Sequence, residues 1–305
     1  MTAEASRACL LCGAQAPFAQ LFESGPYVLV RCECGLVFQD PPPDRAALEQ
    51  AYYHDESFSK ALLGELRPIT QRNARAKLRL LGGEISPGMR VLDVGASSGA
   101  WLELVECHGA HATGVEIGTA TAAAARERGL DMRSGTLEEA LPDLSGDRFD
   151  LITYWDVLEH LVDPLGELEL AQRLLAPEGR IAATFPNVEG LYPRLSYWLL
   201  GQRTGVWEYP ELPVHLYDFS PRTAARLLER AGYELERVRT FAIPFGFYRT
   251  TSLSPRRLGT GRRGRLLRVA FETLRIVVYP LAWLMDRGNA QFVLARQRTP
   301  QGEPA

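Results

Sequence analysis

Three features of the sequence predict an α/β protein built on a doubly wound, mostly parallel sheet. From Met89 onward, short runs rich in β-branched and aromatic residues alternate with helical runs, the order that right-handed crossovers turn into a parallel sheet. One of these runs, Val91 to Val94, opens through Gly95 to Gly99 directly into a helical pattern, the strand, turn and helix of a nucleotide-type crevice. Two cysteine pairs stand ahead of this region, cut off from it by Pro41-Pro42-Pro43, so a small module precedes the sheet.

The composition agrees with a folded globular chain. Of 305 residues, 46% are apolar and 23% charged, enough to bury a core and unlike a disordered or fibrous chain. The 34 Lys plus Arg and 37 Asp plus Glu leave a net charge of -3, so no overall field gathers nucleic acid. The N-terminal residues lack a charged-then-apolar leader pattern, and no stretch of roughly 18 apolar residues occurs, which predicts a cytoplasmic protein. Five cysteines are too sparse for a disulfide scaffold, and their clustering points to metal.

In chain order, Cys9-Leu-Leu-Cys12 and Cys32-Glu-Cys34-Gly35 flank apolar residues from Phe18 to Val30 that suit a short hairpin. Residues 44–81 are helical in composition, with Arg72, Arg75 and Arg79 spaced to share a solvated side. Strands are expected at Arg90 to Val94, His111 to Ile117, Leu130 to Arg133, Phe149 to Tyr154 and Arg180 to Phe185, with helices at Ala100 to His108, Thr119 to Gly129 and Pro164 to Leu175. A helix from the Ser220-Pro221 start to Ala231 leads to strands near Glu234 to Pro244 and Gln291 to Arg296. This divides the chain into a cysteine module at 1–43, a helical linker or lid at 44–88, and a main domain at 89–298 interrupted by insertions at 188–217 and 247–288.

The glycine loop admits three readings. Glu116 ends the next strand, 21 residues after Gly95, the spacing at which a carboxylate takes the two hydroxyls of a ribose. A dinucleotide fingerprint G-x-G-x-x-G fits poorly, because Ser97 replaces the second glycine and Gly99 falls one place early. Gly95-Ala-Ser97-Ser-Gly99 also matches the nucleophile elbow of α/β-hydrolases, although that elbow normally follows several strands and here follows a cysteine hairpin and helices.

In the third reading, Asp93-x-Gly95-x-x-x-Gly99 resembles the first motif of class I S-adenosylmethionine (SAM) dependent methyltransferases, D-x-G-x-G-x-G, with Ser97 as its one departure. Val115-Glu116-Ile117, the stretch Phe149 to His160, and Leu174-Leu-Ala-Pro-Glu-Gly-Arg180 are similar to that family's next motifs in the right order. His215-Leu-Tyr-Asp-Phe-Ser-Pro221 extends the likeness toward members that O-methylate quinones and sugars. The resemblance implies a seven-stranded Rossmann-like sheet whose last strand inserts antiparallel. It also implies that Gly95, Ser97 and Gly99 pass under the methionine part, that Asp93 holds the loop amides or the cofactor's amino group, and that Glu116 binds the ribose. Gly135, Thr136, Leu137 and Glu138 would flank the adenine, while Trp155 and Asp156 would line the cleft toward the acceptor. The structural alternatives are a capping carboxylate for Asp93 and a solvated strand end for Glu116.

Methyl transfer from a sulfonium needs alignment in a dry site more than acid or base chemistry, but a hydroxyl acceptor gains from a base within reach. His160 and His215 are the candidates because histidine titrates near neutrality, with Glu159 placed to orient either; the competing role for His160 is to brace its loop. Cys9, Cys12, Cys32 and Cys34 supply four thiolates, the donor set of a closed structural zinc site. The family often begins with such a zinc-ribbon-like module, though its second knuckle is usually C-x-x-C; Cys107 is expected to pack on a helix.

Residues 249–268 carry seven arginines and no acid. In the helix that follows, Arg268, Glu272 and Arg275 would form a narrow polar stripe, with Leu267, Phe271, Leu274, Val277 and Val278 on a wide apolar surface until Pro280 breaks it. That surface suits a membrane or lipid-substrate contact, or packing on the sheet or a dimer partner. Leu191 to Leu200, with Tyr192, Tyr197 and Trp198, would form the other apolar wall of the acceptor site. The functional expectation is methyl transfer from SAM to a small or lipid- or sugar-linked acceptor, most simply at a hydroxyl oxygen. A Ser97 hydrolase and a non-enzymatic zinc-ribbon binding protein are the alternatives.

Overall fold

The computed structural model describes residues 7–44, 47–48, 67–207, 209–242 and 261–298. An N-terminal hairpin, β1 (Ala19–Ser24) and β2 (Tyr27–Arg31), is joined by β3 (Val37–Gln39). Helix α1 (Arg67–Leu81) then leads to β4 (Arg90–Val94), α2 (Ala100–Cys107), β5 (His111–Glu116), α3 (Thr119–Glu127), β6 (Asp131–Ser134), α4 (Leu137–Leu144) and β7 (Phe149–Trp155). A single 3-10 turn at Leu158–His160 precedes α5 (Pro164–Gln172) and β8 (Leu175–Pro186). Next come α6 (Leu191–Ser196), continued by a π turn and a further helical turn to Thr204, β9 (Tyr217–Asp218), α7 (Pro221–Arg230), β10 (Tyr233–Phe241), α8 (Arg262–Leu284) and β11 (Ala290–Gln297).

The main sheet has seven strands in the order β10-β11-β8-β7-β4-β5-β6, with β8, β7, β4, β5 and β6 parallel and β11 antiparallel to both neighbours. The alternation along β4 shows how the strands divide two cores. Leu92 and Val94 join one cluster with Val115, Ile152, Ile181 and Leu227, whereas Val91 joins the other with Trp101, Leu102, Ala122 and Phe292. Both faces are covered, which is why these strands read as nearly continuous apolar runs.

The structure corrects several expected bounds. β8 starts at Leu175 rather than Arg180, and α5 stops at Gln172. Helix α4 was not anticipated; its Thr136 cap with Glu139 at the third helical position is the sequence signature of a helix start, and Pro142 obscured it. Helix α8 runs through Pro280 to Leu284, with Val278 and Tyr279 buried before the proline and Ala282 after it. Most of the expected apolar surface packs on the protein, with Phe271 and Val278 buried and Leu267 and Leu274 beside them, and only Val277 of that set is exposed. Arg275 points inward with Phe271, Val278 and Ala282, and its guanidinium sits over the Tyr192 ring at 5.4 Å.

β9 pairs with β3, so the N-terminal module is a four-stranded sheet, β1-β2-β3-β9, whose last strand comes from beyond α6. The module also rests on α7, where Arg230 donates to the carbonyl oxygens of Leu10 and Leu11 and Arg226 to that of Cys34. Of the expected helical stretch 44–81, residues 45–46 and 49–66 lie outside the described residues, as does all of 247–260.

Candidate active site

The site is built at the carboxyl ends of β4, β5 and β7, where open α/β sheets bind their ligands. The loop after β4 turns through positive φ at Gly95 (74°), Ser97 (49°) and Gly99 (77°). A Cβ on Gly95 would meet Val157 Cγ2 at 2.5 Å, and one on Gly99 would meet Leu130 Cδ1 at 2.4 Å, so both positions require glycine on conformation and on space. Gly95 and Ala96 donate their N–H groups to the Val115 carbonyl at 2.9 and 3.0 Å, tying the loop to β5.

Glu116 closes this arrangement. Its side chain is buried, with 5% exposure; Oε2 accepts from the Ser97 N–H and Oε1 from the Gly118 N–H, each at 2.8 Å. Burial pushes its pKa up, and the two amide donors oppose that shift. Asp93 lies at the strand end beneath the loop and accepts from the Thr153 hydroxyl at 2.6 Å. Burial raises its pKa to about 6 against the pull of Lys77 and Thr153. Asp156, at φ 57°, follows β7 and accepts from the Thr184 hydroxyl at 3.0 Å. It is exposed at the end of β7, and desolvation by the surrounding protein raises its pKa.

Lys77 of α1 was not anticipated. Its ammonium interacts with Asp93 and Asp156, burial lowers its pKa, and it stands 5.2 Å from the centre of the Trp155 ring. On a helical projection it lies opposite the Arg72, Arg75 and Arg79 stripe, a signal present in the sequence.

Other predicted positions have different surroundings. Trp155 is packed edge-on against Trp101 at 5.2 Å and stacked on Phe292 at 6.4 Å, so its ring belongs to the core beneath the crevice. The Thr136 hydroxyl caps α4 through the Glu139 N–H, and Leu137 is buried in the core; Glu138 is exposed. What this segment leaves beside Glu116 is backbone, with the Gly135 N–H donating to the Glu116 carbonyl at 2.9 Å.

A second polar group borders Asp156. The His160 and His215 rings meet edge to face, 4.7 Å between centres. His160 Nδ1 is 2.9 Å from the Val214 carbonyl, which makes Nδ1 the donor and leaves Nε2 as the ring's acceptor nitrogen. Burial first and His215 second push its pKa down to about 3, so it is neutral at physiological pH. His215 Nε2 is 3.7 Å from Glu211 Oε2. Glu159 is fully buried, and burial, then Asp156, raise its pKa well above the carboxylate range. Ligand-type atoms of Glu159, His160 and His215 lie within 4.8 Å of one another, a donor set that could hold a divalent cation as well as move a proton.

Asp218 of β9, with 1% exposure, finds no hydrogen-bond partner for either carboxylate oxygen. Burial, with Glu211 adding to it, raises its pKa to about 7. The folded state thus holds its proton more tightly than the unfolded chain, so the stability linked to this group is present below pH ~4 and is lost as pH rises toward 7. Asp218→Asn is expected to raise stability at pH 8 by roughly 1–3 kcal/mol and to leave it nearly unchanged at pH 4; melts at the two pH values measure the difference.

In the N-terminal module all four predicted sulfurs converge. Cys9 Sγ lies 3.6 Å from Cys34 Sγ, Cys12 Sγ lies 3.5 Å from Cys32 Sγ, and all four are within 4.8 Å of one another. For Zn–S bonds of about 2.3 Å, the edge of a tetrahedron is ~3.8 Å, so the thiols fit such an ion despite the C-x-C second knuckle. Cys107 is exposed rather than packed.

A family model described as a methyltransferase domain matches residues 66–238. The chain is 37% identical over 97 residues to the ubiquinone biosynthesis O-methyltransferase of Hahella chejuensis, covering 30% of this chain and 40% of that one. It is 32% identical over 141 residues to the enzyme of the same name from Azotobacter vinelandii, covering 44% and 57%. The chain thus spans about half the length of the curated relatives it matches. Among solved structures, an Archaeoglobus fulgidus SAM-dependent methyltransferase aligns with TM-score 0.50 at 20% identity over 74% of this chain and 94% of its own. Magnesium protoporphyrin IX methyltransferase from Synechocystis PCC 6803, solved with bound S-adenosylhomocysteine (SAH), aligns with TM-score 0.50 at 13% identity over 83% and 98%. At these identities the two likenesses show the fold. Because the family match covers more than half of the sequence and runs through the glycine loop, Glu116 and the Asp156 crevice, the chain belongs to the methyltransferase-domain family.

Proposed function

We propose that the chain transfers the methyl group of SAM to a hydroxyl oxygen of a small-molecule acceptor. The observation that carries this reading is Glu116: one buried carboxylate spans the glycine loop and the turn after β5 through two amide donors. Each of its oxygens keeps a further lone-pair site for a ribose hydroxyl. The names of the O-methyltransferase relatives and the SAH in the Synechocystis structure support it.

SAM supplies a sulfonium-activated methyl, so the chain need only bind, align and accept a proton. Gly95 to Gly99 let the backbone approach the ligand closely, and the backbone around Gly135 suits the adenine edge. Asp93 and Asp156, facing Lys77, present opposite charges to an amino acid's carboxylate and ammonium. On the acceptor side, the hydroxyl oxygen forms its bond to the methyl carbon as the carbon–sulfur bond breaks toward sulfur, and the hydroxyl proton passes to His215. Glu211 steadies the resulting imidazolium, while His160, held by the Val214 carbonyl, positions the pair.

SAH is expected to raise Tm by mass action, and labelled SAM to transfer its methyl to a member of a panel of hydroxylated phenols and sugars. No shift at saturating SAH overturns the assignment. Fluorophosphonate labelling of Ser97 would instead support the hydrolase reading.

The four cysteines are proposed to hold one structural zinc. Cys12 is exposed, so Cys12→Ser tests the metal with little loss of packing. Metal analysis is expected to find one zinc per chain, lost in the variant together with roughly 5 °C or more of Tm; equal zinc content in both proteins refutes the site. Arg7 donates to the Tyr217 hydroxyl at 3.1 Å and to the Leu216 carbonyl at 3.0 Å, next to His215, so the module also braces the acceptor side.

A further inference from the structure

Helix α8 is largely apolar on both its inward and its outward arcs. The side turned to the protein carries Arg268, Glu272 and Arg275 among Phe271, Val278, Tyr279 and Ala282. The side turned away carries Leu266, Val269, Thr273, Ile276, Val277, Pro280, Leu281, Trp283 and Leu284, all exposed and without a single charge. A helix apolar on its outward arc covers something, because water against that arc is costly.

Two further observations say what. First, α8 lies alongside α6 and its continuation. Arg263 donates to the Thr204 carbonyl at 3.1 Å at one end, and the Leu191 N–H donates to the Arg287 carbonyl at 2.9 Å at the other. α6 leaves the end of β8 and α8 returns into antiparallel β11, so the helix pair is attached at the sheet edge that carries the candidate site. Second, the exposed charges of this pair and its flanks are Arg194, Arg203, Arg262, Arg263, Arg265 and Arg287 against Glu189 and Asp286 among the described residues. Two copies seated face to face would gather a large excess of positive charge with few acids to offset it. Anionic lipid headgroups complement the arginines, and the exposed rings of Trp198 and Trp283 suit the headgroup depth. None of the described helices is long and apolar enough to cross a membrane, so the helix lies in the plane of the surface.

We infer that the outward face of Arg262–Leu284, rimmed by these arginines, docks the protein onto the surface of an anionic lipid bilayer. The docking stands apart from the SAM assignment, since it is read without substrate. The full chain is tested by flotation with vesicles of phosphatidylcholine with and without phosphatidylglycerol, alongside Ile276→Glu/Leu281→Glu. Wild type is expected to float with the anionic vesicles, with Trp fluorescence shifting to the blue, and the double variant to bind at least about tenfold more weakly. Both substituted side chains are exposed, so SAH-induced thermal stabilisation is expected to be unchanged and reports that the variant is folded. Failure of wild type to bind at low salt, equal flotation of the folded variant, or a wild-type dimer that the variant converts to monomer would each overturn the inference, the last in favour of a second copy.

Discussion

Glu116→Ala is expected to weaken SAH binding by roughly 10²- to 10⁴-fold. Two hydrogen bonds from a ribose to a carboxylate contribute about 1.5–3 kcal/mol each, and each 1.4 kcal/mol is tenfold. The substitution also orphans the amide donors of Ser97 and Gly118, which the carboxylate holds at 2.8 Å, so the loop loses its preorganisation. Glu116→Gln separates these effects. The amide keeps one acceptor oxygen and the shape, and is expected to recover part of the affinity. Because burial raises the Glu116 pKa and the ionised form binds the diol, wild-type affinity should fall as pH drops through that raised value. The fall should vanish in Glu116→Gln. Calorimetric titration with SAH decides the matter; an unchanged Kd for Glu116→Ala removes the ribose contact.

The crevice was legible because backbone conformation and strand alternation leave local traces. Gly95 and Gly99 mark positive φ, and Glu116 marks the end of the next strand at a spacing set by one crossover. The cysteine cluster was legible from residue type, although the structure was needed to show that a C-x-C knuckle still brings four sulfurs together. Contacts across long separations left no such trace. The His160–His215 ring contact joins residues 55 apart only because the chain from α6 returns to add β9 to the N-terminal sheet. Asp218 is buried by the same return. For α8, periodicity outlined a polar stripe without saying which arc faces the protein, since both arcs are largely apolar; Arg275 over Tyr192 is a tertiary outcome. Lys77 was passed over because its neighbours form a plausible solvated stripe, and only burial of the opposite side brings it to Asp93 and Asp156.

His215→Asn is expected to lower kcat by about 10²- to 10⁴-fold, the usual contribution of a positioned base, while leaving SAH affinity nearly unchanged. The two histidines are not equivalent. His160 has its Nδ1–H committed to the Val214 carbonyl and a pKa pushed down to about 3, so it is a poor proton acceptor near neutrality. His215 Nε2 instead lies 3.7 Å from a carboxylate oxygen of Glu211. His160→Asn should therefore cost less in kcat than His215→Asn, because an amide placed there can still donate to Val214 and hold the pair. Glu211→Gln should lower kcat as well, since it removes the negative charge beside the ring that takes the proton. A merely structural His215 would leave kcat insensitive to Glu211. Activity that survives in His215→Asn with an unaltered pH profile would mean that alignment alone carries the reaction and that the acceptor loses its proton to solvent.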